Sequence, residues 1–135
     1  MWAAVALLAA GTVWDLKHRT IPDVIPAAIL AVAVATTAWQ RAPQGWWMFG
    51  LGFAVALALG LALFARGGLG GGDVKVLAAL GALVGLRGLF PLLFYVAIAG
   101  GVLGIVALAR GKRDVAYAPA IALGFLVFVM TRAWR

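Results

Sequence analysis

Residues 70–85 read GGGDVKVLAALGALVG, in which three glycines and an aspartate precede a run that is apolar except for Lys75. Apolar segments seldom carry an acid, because placing a carboxylate at membrane depth costs free energy. An ionisable group in such a place is by default a functional candidate. The stretch therefore predicts a helix that begins close to Asp73 and a chemical role for that carboxylate.

The composition of the whole chain is that of a membrane protein. Of its 135 residues, 66% are hydrophobic and 11% are charged, and the mean hydropathy is +1.10. Soluble domains are about half apolar and about a quarter charged. We therefore expect an all-α, polytopic membrane helical bundle in which residues 1–135 form a single membrane-embedded domain.

Charge and cysteine content exclude several other kinds of site. The chain has no cysteine and one histidine, so we expect no disulfide, no metal centre and no cofactor. Its net charge of +7 comes from basic residues that fall in short loops. The positive-inside rule and attraction to anionic lipid explain that placement, so we expect membrane lipid as a partner and no nucleic acid.

The apolar pattern predicts about six transmembrane helices, since a spanning helix needs about 20 apolar residues. The fourth of these segments is short, which predicts an incomplete span or a helix that begins in a water-filled cavity. The six segments are Trp2 to Trp14 with about one further turn, Val24 to Trp39, Trp46 to Ala65, Val74 to Leu86, Leu89 to Ala109 and Ala116 to Trp134.

Loop charges predict the orientation of these segments. With the N-terminus outside, seven of the 11 basic residues fall on the cytoplasmic side, as the positive-inside rule favours. All four acidic residues then also fall on that side; they are Asp15, Asp23, Asp73 and Asp114. The first three lie at the ends of three different helices, so packing can bring them together.

Two stretches carry the candidate chemistry, WDLKHRTIPDVI at residues 14–25 and the stretch at 70–85. Two facing carboxylates can share a proton and act together as acid and base on a peptide bond. Structural roles are the alternative. Asp73 is a suitable N-cap, and Asp15 can pair with Lys17 or Arg19. His18 is interpreted as an interfacial loop residue. The residues alone leave these alternatives open.

The glycines have two interpretations. Gly70, Gly71 and Gly72 permit a close approach of another backbone and positive φ angles, which suits an extended peptide beside Asp73. A flexible loop explains the same run. Elsewhere, the spacing of two glycine pairs predicts close helix packing; the pairs are Gly81 with Gly85 and Gly100 with Gly104.

Taken together, the two stretches resemble the type IV prepilin peptidases, membrane aspartic proteases of the Gly-x-Gly-Asp type. Asp73 matches the aspartate of that pattern, and Asp15 matches the first family aspartate, six residues before Ile21. The stretch VAYAPAIALG at 115–124 is similar to the start of the family's last helix. The resemblance implies Asp15 and Asp73 as the catalytic pair, with further substrate-binding or supporting residues at Pro22, Asp23, Gly70, Gly72 and Lys75.

The resemblance also implies a function. Members of this family cut the basic leader from prepilins and pseudopilins at the cytoplasmic face of the bacterial or archaeal membrane. A chain that starts at its first span and lacks cysteine resembles the short, peptidase-only branch. From another class, a small proton-coupled transporter would use the same acids as a relay, and a non-catalytic membrane assembly subunit is a third possibility.

Overall fold

The computed structural model describes residues 1–18, 22–39, 43–111 and 117–133. Within these residues the regular structure is entirely helical and comprises five α-helices, which confirms the all-α prediction. They are α1 (Trp2–His18), α2 (Val24–Trp39), α3 (Pro43–Ala65), α4 (Gly71–Ala109) and α5 (Ala118–Ala133).

The helix α4 is broken by a kink at Gly85. Gly85 has φ 67° and ψ 174°, a backbone conformation that is essentially restricted to glycine. Residues 71–84 and 86–109 are therefore two helical segments. The sequence analysis predicted this break between Leu86 and Leu89, so the predicted boundary is wrong by a few residues.

The first segment of α4 is short, as predicted. Its 14 residues, 71–84, extend about 21 Å at 1.5 Å per residue, which is less than the thickness of about 30 Å of a bilayer's hydrocarbon core. Two helical stretches are long and apolar enough to cross a membrane, namely Gly45–Ala65 and Gly71–Ala109. Three shorter apolar helices accompany them, so the six separate spans of the prediction are not established.

A tight reversal joins α3 to α4 and sets the position of Asp73. Gly67 has φ 73°, and the backbone N–H groups of Gly67 and Gly68 donate to the carbonyls of Phe64 and Leu63, each at 2.9 Å. This pair of bonds is the Schellman arrangement, in which glycine takes the left-handed position after a helix. The chain turns back at once, so the start of α4 lies beside the end of α3.

Glycines allow α3 and the first segment of α4 to pack backbone against backbone. A Cβ atom on Gly52 would lie 2.9 Å from the Cα of Gly85, and one on Gly81 would overlap Ala56 and the Gly52 carbonyl. The close packing predicted for Gly81 and Gly85 is confirmed. For Gly100 and Gly104 it is wrong. Among the described residues, a Cβ on Gly104 would meet nothing within 4 Å, and one on Gly100 would make only ordinary contacts.

The main core lies between α1, α2, α4 and α5. Its largest buried side chains include Ile29, Leu80, Phe125 and Phe128. The outer surface is also apolar, since Trp47 is 76% exposed and Ile105 is 70% exposed. Exposed apolar side chains of this size and number mark a surface that faces lipid or another protein.

Candidate active site

Asp73 is the centre of the candidate site. It is the third residue of α4, and its side chain is 8% exposed. The backbone N–H of Gly70 donates a hydrogen bond to its carboxylate, as an acid at the third helical position does in a capping box. The N-cap is Gly70 itself. The alternative that Asp73 is the N-cap residue is therefore wrong. Its carboxylate nevertheless accepts a hydrogen bond from a backbone N–H at the start of the helix that has no partner within the helix.

That hydrogen bond leaves part of the Asp73 carboxylate unsatisfied. The oxygen Oδ1 is buried and has no hydrogen-bond partner among the residues that the structure describes. Buried polar atoms are nearly always paired, and an unpaired one calls for an explanation such as a catalytic role. A purely structural cap does not explain the burial of this second oxygen.

Asp73 lines a cleft among four helices. The cleft is shallow: the space of about 230 Å³ between its walls includes open solvent, and its enclosed part has room for about one water molecule. Its walls are formed by Leu8, Gly11 and Thr12 of α1, Ile25 of α2, Asp73 and Val76 of α4, and Ala118 and Ile121 of α5. Asp73 is the only ionisable residue among them, so the cleft presents one carboxylate to an otherwise almost wholly apolar space.

Asp15 reaches the same end of the bundle. It lies in the last turn of α1, half-buried, three residues after the cleft residue Thr12. Its charge acts directly on the carboxyl group of Asp73. The structure thus brings together the two aspartates that the sequence singled out from segments 58 residues apart. Two carboxylates that interact in this way repel each other when both are ionised, and sharing one proton relieves that repulsion.

Asp23 and Lys75 are also brought together. Asp23 precedes α2, Lys75 lies in the first turns of α4, and Lys75 Nζ donates to Asp23 Oδ1 at 2.6 Å. Pro22, which is half-buried, accepts a backbone hydrogen bond from Ile25 at 3.1 Å. The two motif stretches are therefore linked by this ion pair as well as by the aspartates.

The glycine run differs from its prediction. Gly71 and Gly72 lie inside the first turn of α4, and Gly70 has φ −77° and ψ 154°, an extended conformation open to any residue. None of the three is among the glycines with positive φ in the described residues. The positive φ angles that glycine permits are therefore not used at these positions, and the interpretation as a flexible loop is wrong for Gly71 and Gly72, which are helical. A Cβ on Gly70 would lie 3.4 Å from Asp73 Oδ2, an ordinary van der Waals contact.

Some cleft residues were missed by the sequence analysis. Thr12 brings a hydroxyl into the cleft wall, where it donates to the Leu8 carbonyl at 2.8 Å. Helical spacing from Asp15 would have placed Thr12 on the same face. Gly11 and Ala118 carried no such signal. His18, expected in a loop, is the last residue of α1 and stacks on Trp14 with ring centroids 4.6 Å apart.

Two charged residues named in the predictions have no described position. Arg19 and Asp114 lie outside the described residues. Among the residues that are described, no three His, Asp or Glu side chains are grouped as metal ligands would be. The organisation of residues 1–135 as one domain stays a prediction.

Comparison with known proteins gives the family. One relative, "Prepilin leader peptidase/N-methyltransferase" of Bacillus subtilis, is 32% identical over 91% of this chain and 52% of its own length. A protein of the same name from Xanthomonas campestris pv. campestris is 29% identical over 84% of this chain and 44% of its own length. The chain thus spans about half the length of these curated relatives. No solved structure matches it.

The match to a family extends over most of the chain. The sequence model of the type IV leader peptidase family covers residues 2–105, which include both aspartates, the Gly70–Asp73 stretch and the Asp23–Lys75 pair. The resemblance drawn from the two motifs is confirmed, and with it the assignment as a membrane protein, for which the apolar helices give independent support. This chain belongs to the type IV leader peptidase family.

Proposed function

We propose that this chain is an aspartic endopeptidase of the membrane that removes the basic leader peptide from prepilin-like proteins. The observation that carries the proposal is the buried Oδ1 of Asp73, which has no hydrogen-bond partner among the described residues and lies at a mostly apolar cleft, with the charge of Asp15 acting on the same carboxyl group. The name of the two relatives, "Prepilin leader peptidase/N-methyltransferase", supports the substrate class. The assignment to a peptidase-only branch stays a prediction.

The chemistry follows from a pair of carboxylates that holds one proton. The ionised member takes a proton from water, and the water oxygen adds to the carbonyl carbon of the scissile peptide bond. The protonated member gives its proton to the carbonyl oxygen, which forms a tetrahedral diol. When the diol collapses, one of its hydroxyl groups gives its proton to the ionised member of the pair, the carbon–nitrogen bond breaks, and the leaving amine receives the proton of the other member, so that the pair again holds one proton.

The cleft suits a substrate that is cut just ahead of a hydrophobic helix. Among the described residues that line it, Thr12 is the one neutral polar residue and Asp73 the one ionisable residue, and the others are apolar. Transfer of an apolar segment of the substrate from water to such a surface is favourable. The end of the substrate's hydrophobic helix would therefore lie against the opening of the cleft, with its first peptide bond at the aspartates.

The proposed location is the bacterial cytoplasmic membrane, as a multi-pass protein with the aspartates facing the cytoplasm. The electrostatic interaction between Asp15 and Asp73 supports part of this arrangement, because it requires the end of α1 and the start of α4 to lie at one face. The positive-inside rule then selects the cytoplasm for that face. Two exposed cations lie at this face, Lys17 in the last turn of α1 and Arg66 directly after α3.

Labelling tests the orientation. The chain has no cysteine, so Lys17→Cys, Arg66→Cys and Trp39→Cys each introduce a unique thiol. We expect a membrane-impermeant thiol reagent applied to intact cells to label Trp39→Cys, because α2 carries that position to the outer face. The other two variants should label only after the membrane is opened. Labelling of all three from outside would contradict the proposed topology.

A cleavage assay tests the function. We expect the purified full chain in detergent to cut a prepilin-like peptide between its basic leader and its hydrophobic helix, with both products identified by mass spectrometry. A proton-coupled transporter or an assembly subunit built on the same acids would cut nothing. Absence of both products under conditions in which the chain remains folded would contradict the proposed function.

A further inference from the structure

An exposed ion pair lies at the rim of the cleft. Lys75 Nζ is 2.6 Å from Asp23 Oδ1. Neither residue of the pair lines the cleft itself, but Ile25 lines it two residues after Asp23, and the lining residues Asp73 and Val76 lie on either side of Lys75 in the sequence. On both α2 and α4 the pair is therefore within two residues of a position where a peptide at Asp73 would touch the protein.

Burial separates the three acids that the structure describes. Asp73 is 8% exposed and Asp15 is half-buried, whereas the Asp23 side chain is 76% exposed. Asp23 is thus the acid, among those described, that a charged group arriving from outside can reach. Its present partner, Lys75, is itself 56% exposed. Exposed pairs of this kind stabilise a fold little, so a competing cation can replace the lysine.

The charge of the rest of the molecule makes this carboxylate more important. The chain carries a net charge of +7, and exposed cations such as Lys17 and Arg66 lie at the same end of the bundle as Asp73. A basic leader is repelled by that field unless it finds a local anion. Asp23, at the cleft rim, supplies one.

We propose that Asp23 binds a cationic group of the substrate's leader, an ammonium or a guanidinium, and that the Lys75 ammonium occupies this carboxylate in the free protein. Asp23 is then a specificity residue, and Lys75 is its internal competitor. The proposal rests on the proposed function and adds to it the group that recognises the leader. It also explains why a chain so rich in basic residues would accept a basic substrate.

The test compares two peptides that differ in leader charge. One carries lysines in the leader, and the other carries glutamines at the same positions with the same hydrophobic helix. We expect Asp23→Asn to lower the ratio of kcat/KM for the lysine peptide over the glutamine peptide about fivefold, as an exposed charge pair allows. Asp23→Glu, which keeps the charge, should retain the ratio. An N-acetylated lysine peptide separates side-chain recognition from recognition of the terminal amine.

Lys75→Met separates this role from a structural one. If the ion pair merely holds α2 to α4, losing either partner has the same effect, and the ratio changes equally in Asp23→Asn and Lys75→Met. If Lys75 competes with the leader, the ratio in Lys75→Met stays at or above that of the unaltered chain. A fall as large as that in Asp23→Asn overturns the proposal.

A binding measurement keeps this result separate from the proposed function. Fluorescence anisotropy of the labelled lysine peptide on Asp73→Asn, with and without Asp23→Asn, reports docking without cleavage. Weaker binding without the Asp23 charge, with a difference that shrinks at high salt, supports the proposal even in a chain that cuts nothing. Cleavage by the unaltered chain with no dependence on leader charge overturns it and leaves the proposed function intact.

Discussion

Asp73→Asn and Asp15→Asn should each lower the rate of leader cleavage at least about 100-fold, because each removes one member of a proton-transferring pair. Asn has nearly the volume of Asp, and its amide oxygen can still accept the hydrogen bond from the Gly70 N–H. The fold should therefore survive. What is lost is the ability to take a proton from water or to give one to the carbonyl oxygen.

The double variant makes this expectation sharper. Groups that act as one unit show non-additive losses, so Asp15→Asn with Asp73→Asn together should be little worse than either alone. Independent roles would instead multiply the two losses. Asp114→Asn removes an acid outside both motif stretches and is the matched control. Single-turnover cleavage, with the folded fraction measured by size-exclusion chromatography, is the required measurement, and robust activity in Asp15→Asn would end the assignment of the pair.

The sequence was sufficient to locate these aspartates because each lies at the edge of an apolar run. An edge position is a local property, and the ends of helices follow from where apolar residues stop. The interaction between Asp15 and Asp73 was expected only as something that packing permits. The position of Asp73 follows from the Schellman turn at Gly67, which places the start of α4 beside the end of α3.

The cleft could not be predicted in the same way. Its walls come from four helices that are far apart in the chain, and no periodicity in one segment reveals which faces of the others will meet it. The kink shows a related limit. The apolar pattern predicted a break between Leu86 and Leu89, but the conformation that only glycine tolerates is at Gly85, where the backbone lies close to Met48.

The two glycine pairs show that spacing does not identify a partner. Gly81 and Gly104 are both helical glycines of α4 in a small-xxx-small pattern, and nothing in that pattern distinguishes them. In the structure Gly81 faces the backbone of α3, whereas Gly104 faces open space. The same substitution should therefore have opposite effects at the two positions.

Gly81→Ala should destabilise the protein by about 1–3 kcal/mol, the usual cost of overpacking. The added methyl group would overlap the Ala56 side chain and the Gly52 carbonyl, and most of the atoms it meets belong to backbone that cannot rotate away. The two helices must then separate. Because Asp73 lies on the same segment of α4, we also expect the cleavage rate to fall.

Gly104→Ala is the matched control, and its effect should have the opposite sign. The new methyl group meets nothing within 4 Å, and alanine favours a helix interior over glycine by roughly 0.5–1 kcal/mol. Unfolding of both variants in mixed micelles, followed by circular dichroism, gives the comparison. Gly52→Ala adds a methyl group to the same contact from α3. The losses of stability caused by Gly52→Ala and by Gly81→Ala should therefore not add in the double variant. If Gly81→Ala and Gly104→Ala unfold alike, α3 and α4 are not in backbone contact at Gly81, and the position of Asp73 beside the end of α3 loses its structural basis.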